Sequence, residues 1–92
     1  MYKIVSVTDR DGNLKEDFMR DMKKAHPTMS GELYYPYLSL RKGGYLGLVW
    51  DDASGKMLQT SRIIDDVIED GNKLIITTLN SIYTLEKLEV KE

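Results

Sequence analysis

Apolar and polar positions alternate along most of this chain, and only one stretch, near the start, follows a helical period. Tyr2 to Thr8 carries Ile4, Val5, Val7 and Thr8, β-branched side chains that are stiff at χ1 and sit well on a pleated surface, so it reads as a strand. Asp9 to Gly12 breaks it. Leu14, Phe18, Met22 and Ala25 then recur at spacings of four and three with Met19 beside them, which predicts one N-terminal helix over about residues 14–26 with an apolar stripe. Asn13 and Glu16 have capping-box spacing. Glu16 and Asp17 suit the dipole of the first turn, Lys23, Lys24 and His26 suit the last, and Pro27 stops the helix.

From residue 33 the period becomes extended. Leu33 to Arg41 alternates, although Pro36 cannot donate to a ladder and marks an edge or a bulge. Gly43-Gly44 supplies a tight turn, and Tyr45 to Asp51 follows with Leu46, Leu48 and Trp50 on the core face and Gly47 close to another backbone. Asp51 to Lys56 is a turn in which Gly55 takes the left-handed position. Met57 to Ser61 and Ile63 to Glu69 read as one bent strand or two short ones. The spacing of Ile64 with Ile68, and of Ile63 with Val67, also fits a short helix at residues 62–70, but the β-branched content favours strand. Asp70-Gly71-Asn72 is a hairpin turn into Lys73 to Leu79, and Asn80-Ser81, with Asn at positive φ, leads into Ile82 to Leu88. The expectation is α+β: a small SH3-like barrel or a strongly bent antiparallel sheet with one packed helix, since closure or bending protects the edges of many short strands.

Composition narrows this picture. A length of 92 residues fits a single domain, 1–92, and 41% hydrophobic with 30% charged residues excludes a disordered or low-complexity chain. The absence of cysteine removes disulfides, thiolate metal sites and a cysteine nucleophile. The opening residues lack the cationic and apolar regions of a signal peptide and no apolar run is long enough to span a bilayer, so the expectation is a cytoplasmic protein without a membrane partner.

The net charge of −2 is unevenly distributed: residues 51–72 carry six acids against Lys56 and Arg62, a local −4 beside +2 elsewhere. Asp65, Asp66, Glu69 and Asp70 form an acidic patch suited to a basic partner, although such charges also simply keep a domain soluble. The candidate catalytic and metal chemistry fails on inspection. Asp9-Arg10-Asp11-Gly12-Asn13 begins like a calcium loop, but its sixth residue is Leu14 and its twelfth Arg20, where glycine and glutamate are needed. His26, the only histidine, is placed at the helix end to meet the last carbonyls, and zinc would need more ligands than it can offer. Asp51-Asp52 and Asp65-Asp66 are neighbours that point apart, so they do not converge as an acid–base pair. Gly43, Gly44 and Gly47 lack the lysine and helix of a phosphate loop. No catalytic residue, metal or cofactor is assigned.

The remaining candidate surface is aromatic. Tyr34, Tyr35, Tyr37 and Tyr45 lie around Arg41 and Lys42, a combination on which bases stack while cations hold phosphates. With Trp50 they serve a protein partner equally well, because aromatic residues are enriched in interface cores. A pI of about 5.4 weakens the electrostatic drive for nucleic acid.

The segment Thr60 to Leu85, with Thr78, Asn80, Ser81 and Tyr83 spaced as Thr-x-Asn-Ser-x-Tyr, resembles the closing segment of small uncharacterised proteins of Gram-positive bacteria and their phages. The resemblance implies an accessory protein of a phage or mobile element whose task is to bind something. Together these readings predict a non-enzymatic protein-interaction module, with a small nucleic-acid binder built on the tyrosine-rich, basic hairpin as the alternative. Self-association through a free strand edge is also compatible with the pattern.

Overall fold

The computed structural model describes residues 1–34 and 40–88. In chain order the elements are β1 (Tyr2–Thr8), α1 (Glu16–Ala25), β2 (Ser30–Leu33), β3 (Tyr45–Trp50), β4 (Met57–Arg62), β5 (Ile68–Asp70), β6 (Lys73–Thr77) and β7 (Ile82–Lys87). The seven strands form one antiparallel sheet in the order β4-β3-β2-β1-β7-β6-β5. The fold is therefore α+β, mostly antiparallel sheet with one helix among the described residues, and the sheet is not closed into a barrel.

It is nevertheless bent, because β4 and β5 are successive parts of one path. On one side of Ile63 its N–H donates to Gly44 O at 2.8 Å, and its carbonyl accepts from Gly43 N at 2.8 Å. On the other side Ile64 N donates to Thr77 O at 3.0 Å and Leu79 N donates to Arg62 O at 3.1 Å. An isolated bridge between Ile63 and Thr78 results, joining chain that has just left the β3 ladder to the end of β6. Both residues are almost fully buried, at 1% and 0% exposure. Residues 62–70 thus follow the strand reading, broken by a bend, and contain no helix.

The inner face collects Ile4, Val7, Leu46, Leu48, Ile76 and Leu85 around Ile63. Each such side chain contributes roughly 1.5–3 kcal/mol by leaving water. The period-two reading of β3 is accurate: Leu46, Leu48 and Trp50 are buried on its core face.

Two expected boundaries are corrected. The second strand is Ser30–Leu33, not Leu33 to Arg41, of which residues 35–39 lie outside the described residues. Gly31 is the reason that a glycine can sit inside this strand: a Cβ there would lie 2.1 Å from Val49 O, so the close approach of β2 to β3 requires hydrogen at that position.

The helix begins at Glu16 without a capping box. Lys15 is the N-cap and makes no side-chain cap bond. Asn13 instead belongs to the preceding turn, where Asp9 Oδ1 accepts from the backbone N–H groups of Asp11 and Asn13, both at 2.9 Å. The competing Asx turn has taken the side chain that a cap would use.

Residues 13–19 also complete β1. Beyond Lys3 the β2 ladder ends, while the β7 ladder continues through a bulge at Val5. Val7 O is met by Lys15 N at 2.9 Å, Val7 N by the thioether of Met19 at 3.3 Å, and Thr8 bridges to Leu14. The start of the helix therefore serves as a substitute strand. The helix buries little else: Met22 is its one buried residue, whereas Leu14, just before the helix, and Phe18 remain 50% and 41% exposed. No helix among the described residues is long and apolar enough to cross a membrane.

Candidate functional site

Three groups of side chains are worth weighing: the tyrosine-rich hairpin, a histidine–carboxylate cluster, and the acidic segment beyond the bend. The first lies only in part among the described residues. Trp50 is buried at 7% exposure, so its assignment as an exposed contact residue is corrected. Its position on the core face of β3, two residues after Leu48, accounts for this. Tyr35 and Tyr37 lie outside the described residues. Tyr34 is half-buried and continues the β2–β3 pairing through a bond from its N–H to Gly47 O at 3.0 Å. Tyr45 is half-buried and engaged by Arg62, whose guanidinium donates to the phenol oxygen at 3.3 Å and lies 5.7 Å from the ring centroid. That contact raises the Arg62 pKa further. Arg41 and Lys42 are exposed in the turn before β3.

The second group was not anticipated. His26 caps the C-terminus of α1, its backbone N–H donating to Met22 O at 2.7 Å, but its imidazole leaves the helix rather than meeting the last carbonyls. The ring stacks on Trp50 with centroids 4.2 Å apart and planes 8° from parallel, and Nδ1–H donates to Asp52 Oδ2. Bonds from Ser54 and then His26 hold the Asp52 carboxyl down at about 2. The neighbouring Asp51 turns the other way and accepts from the hydroxyls of Thr28 and Ser30, both at 2.6 Å, contacts that lower its pKa, Ser30 foremost. The adjacent carboxylates diverge as expected of neighbours, and each anchors a different element.

An imidazole oriented by a carboxylate is the usual start of a general base. Here Trp50 covers one face of the ring and Asp51 occupies both nearby hydroxyls, leaving no Ser or Thr within hydrogen-bonding distance of the imidazole among the described residues. The arrangement is a clasp that ties the end of α1 and the start of β2 to the β3–β4 turn. No local motif signals it, since its members come from segments more than twenty residues apart. Among the described residues no three His, Asp or Glu side chains converge in a way that could hold a metal.

The acidic segment is the most open of the three. Asp65 and Asp66 lie in the exposed connection after the bend, and all of β5 is exposed. Ile68, at 55%, is the most exposed large hydrophobic residue among those described. Asp70 differs from the other acids, because it stands opposite Lys73, which stands opposite Glu86, which stands opposite Lys3. This row of alternating charge crosses four strands, although none of its neighbours closes to an ion pair. Asp65, Asp66 and Glu69 have no ion-pair partner among the described residues. Because β5 ends the sheet, alternate residues turn their backbone N–H and C=O groups away from β6.

The motif carrying the sequence resemblance forms the β6–β7 turn. Thr78 N and Oγ1 both donate to Ser81 O, at 2.8 and 3.0 Å, while Ser81 N donates back to Thr78 Oγ1 at 3.2 Å. Asn80 does not adopt the expected positive φ. Tyr83 is buried, which pushes its phenol pKa up. These residues build a turn and a core position. No family model matches the chain, and no significantly similar protein was found among curated sequences or solved structures.

Proposed function

We propose that this chain is a non-enzymatic protein-interaction module, an accessory protein of a phage or mobile element, that engages a basic partner segment at the β5 edge. The observation that carries this reading is the coincidence at one place of a free strand edge, the exposed Ile68 and the unpaired acids Asp65, Asp66 and Glu69. An extended segment with alternating apolar and basic residues satisfies all three: its backbone continues the ladder, its apolar side chains cover Ile68, and its cations face the carboxylates. The phage setting rests on the sequence resemblance of residues 60–85. Within this reading the sheet is SH3-like in plan, which the corner at Ile63 supports.

Crosslinking and capture from the native host, with Ile68→Lys and Asp65→Lys/Asp66→Lys variants in parallel, tests the proposal. A protein recovered by the parent chain and lost from both variants, at unchanged melting temperature, is the expected result. Equal recovery by all three chains, or recovery of none, overturns it. Binding to oligonucleotides that weakens steeply as salt rises would instead favour the nucleic-acid alternative through Arg41 and Lys42.

A further inference from the structure

A second feature lies away from the acidic edge, where α1 crosses the bulged part of β1. A groove of about 310 Å³ opens there, with a floor of Ile4, Val5, Met19 and Met29. This volume is at the small end of the range for ligand sites, roughly 300–1,000 Å³. Two features of the backbone create it. Val5 is the residue that the bulge leaves without a partner on β7, and its side chain is 40% exposed. Met29, a buried non-glycine residue, is held at φ +50°, where its carbonyl accepts from Ile4 N at 2.8 Å. A non-glycine residue is seldom held in this region, so the wall is maintained against local preference.

The rim is cationic. Lys3 and Lys23 border the groove from the sheet and the helix, and neither has an ion-pair partner among the described residues. Glu86 also reaches the groove and stands opposite Lys3 in the ladder, but its Oε1 accepts from Asn72 Nδ2 at 3.3 Å on the β6 side. Neither ammonium closes an ion pair with it, and both border an apolar floor.

We propose that this groove binds a small amphiphilic anion, a medium-chain aliphatic carboxylate, with its chain on Val5 and Met19 and its head group between Lys3 and Lys23. Charge complementarity sets the sign of the head group, and the floor sets the apolar body.

Titration of the isotopically labelled full-length chain with decanoate below its micelle concentration, followed by amide chemical shifts, tests the site. Saturable shifts at Val5, Lys23 and Met29 are expected, with a Kd that rises roughly tenfold for Lys3→Ala and again for Lys23→Ala, each corresponding to the loss of one charge-assisted contact. Both lysines are exposed, so the variants should keep the parent spectrum elsewhere. Equal binding of decyltrimethylammonium, shifts centred on Leu14 and Phe18, or no saturation overturns the proposal. So does sedimentation with anionic phospholipid vesicles while monomeric decanoate moves no amide, which would make this a membrane contact.

Discussion

The imidazole of His26 lies flat on the indole of Trp50, 4.2 Å between centroids, while its edge pairs with Asp52. The helix end is thereby fastened to the β3–β4 turn through a residue already anchored in the core. Replacing His26 with Ala should remove both contacts and leave a cavity over Trp50, at a cost of about 2 kcal/mol. Urea unfolding followed by the fluorescence of the single tryptophan measures it. Unchanged stability would mean that the clasp contributes nothing.

The same clasp predicts an acid response. Asp52 has a folded pKa lowered from 3.8 to about 2, so its contribution is complete above the unfolded value and is lost as pH falls through the folded one. Asp51 and Asp9 are shifted in the same direction. Stability should therefore decline between about pH 4 and pH 2, and Asp52→Asn should flatten part of that decline. Thermal melts across this range, for parent and variant, show whether it does.

Gly31→Ala should be disproportionately harmful for one methyl group. The added carbon meets the carbonyl of Val49 rather than a movable side chain, so β2 and β3 must separate. The expected cost is about 3 kcal/mol, the upper end for overpacking. Alanine at Gly12 has open space by comparison and only its φ to contend with.

Met19→Leu conserves volume and apolarity but removes the sulfur that accepts from Val7 N. Global stability should fall by no more than about 1–1.5 kcal/mol. The amide of Val7 should exchange with solvent selectively faster, a local readout that a purely packing role for Met19 would not move.

What was legible in the sequence follows physical locality. The alternation of Leu46, Leu48 and Trp50 directly reports which face of β3 is buried, and Gly71 marks a hairpin whose closing pair, Asp70 and Lys73, has two residues between its members. The helix start was misread because Asn13 and Glu16 satisfy a local rule, while Asp9, four residues upstream, offers Asn13 a competing one. The alternation of Leu33 to Arg41 suggests a strand there, yet β2 begins at Ser30, and the demand for a glycine at position 31 comes from a strand nearly twenty residues later. The clasp was invisible for the same reason. His26, Trp50 and Asp52 carry no mutual spacing signal, and only the folded sheet makes them neighbours.

The position of β1 has a consequence for how the molecule is made. The earliest of the described strands stands between β2 and β7, so its ladder from Tyr2 through Thr8 is completed by residues 82–87. Local pairing can assemble β5 with β6, and β6 with β7, but the central strand must wait until residues 82–87 are made. Such distant pairing slows folding and leaves apolar strand edges uncovered while it is pending. The hydrogen bonds from Lys15 and to Met19 that complete Val7 on its other side in the folded chain are of local origin, so they can form some sixty residues before β7 exists.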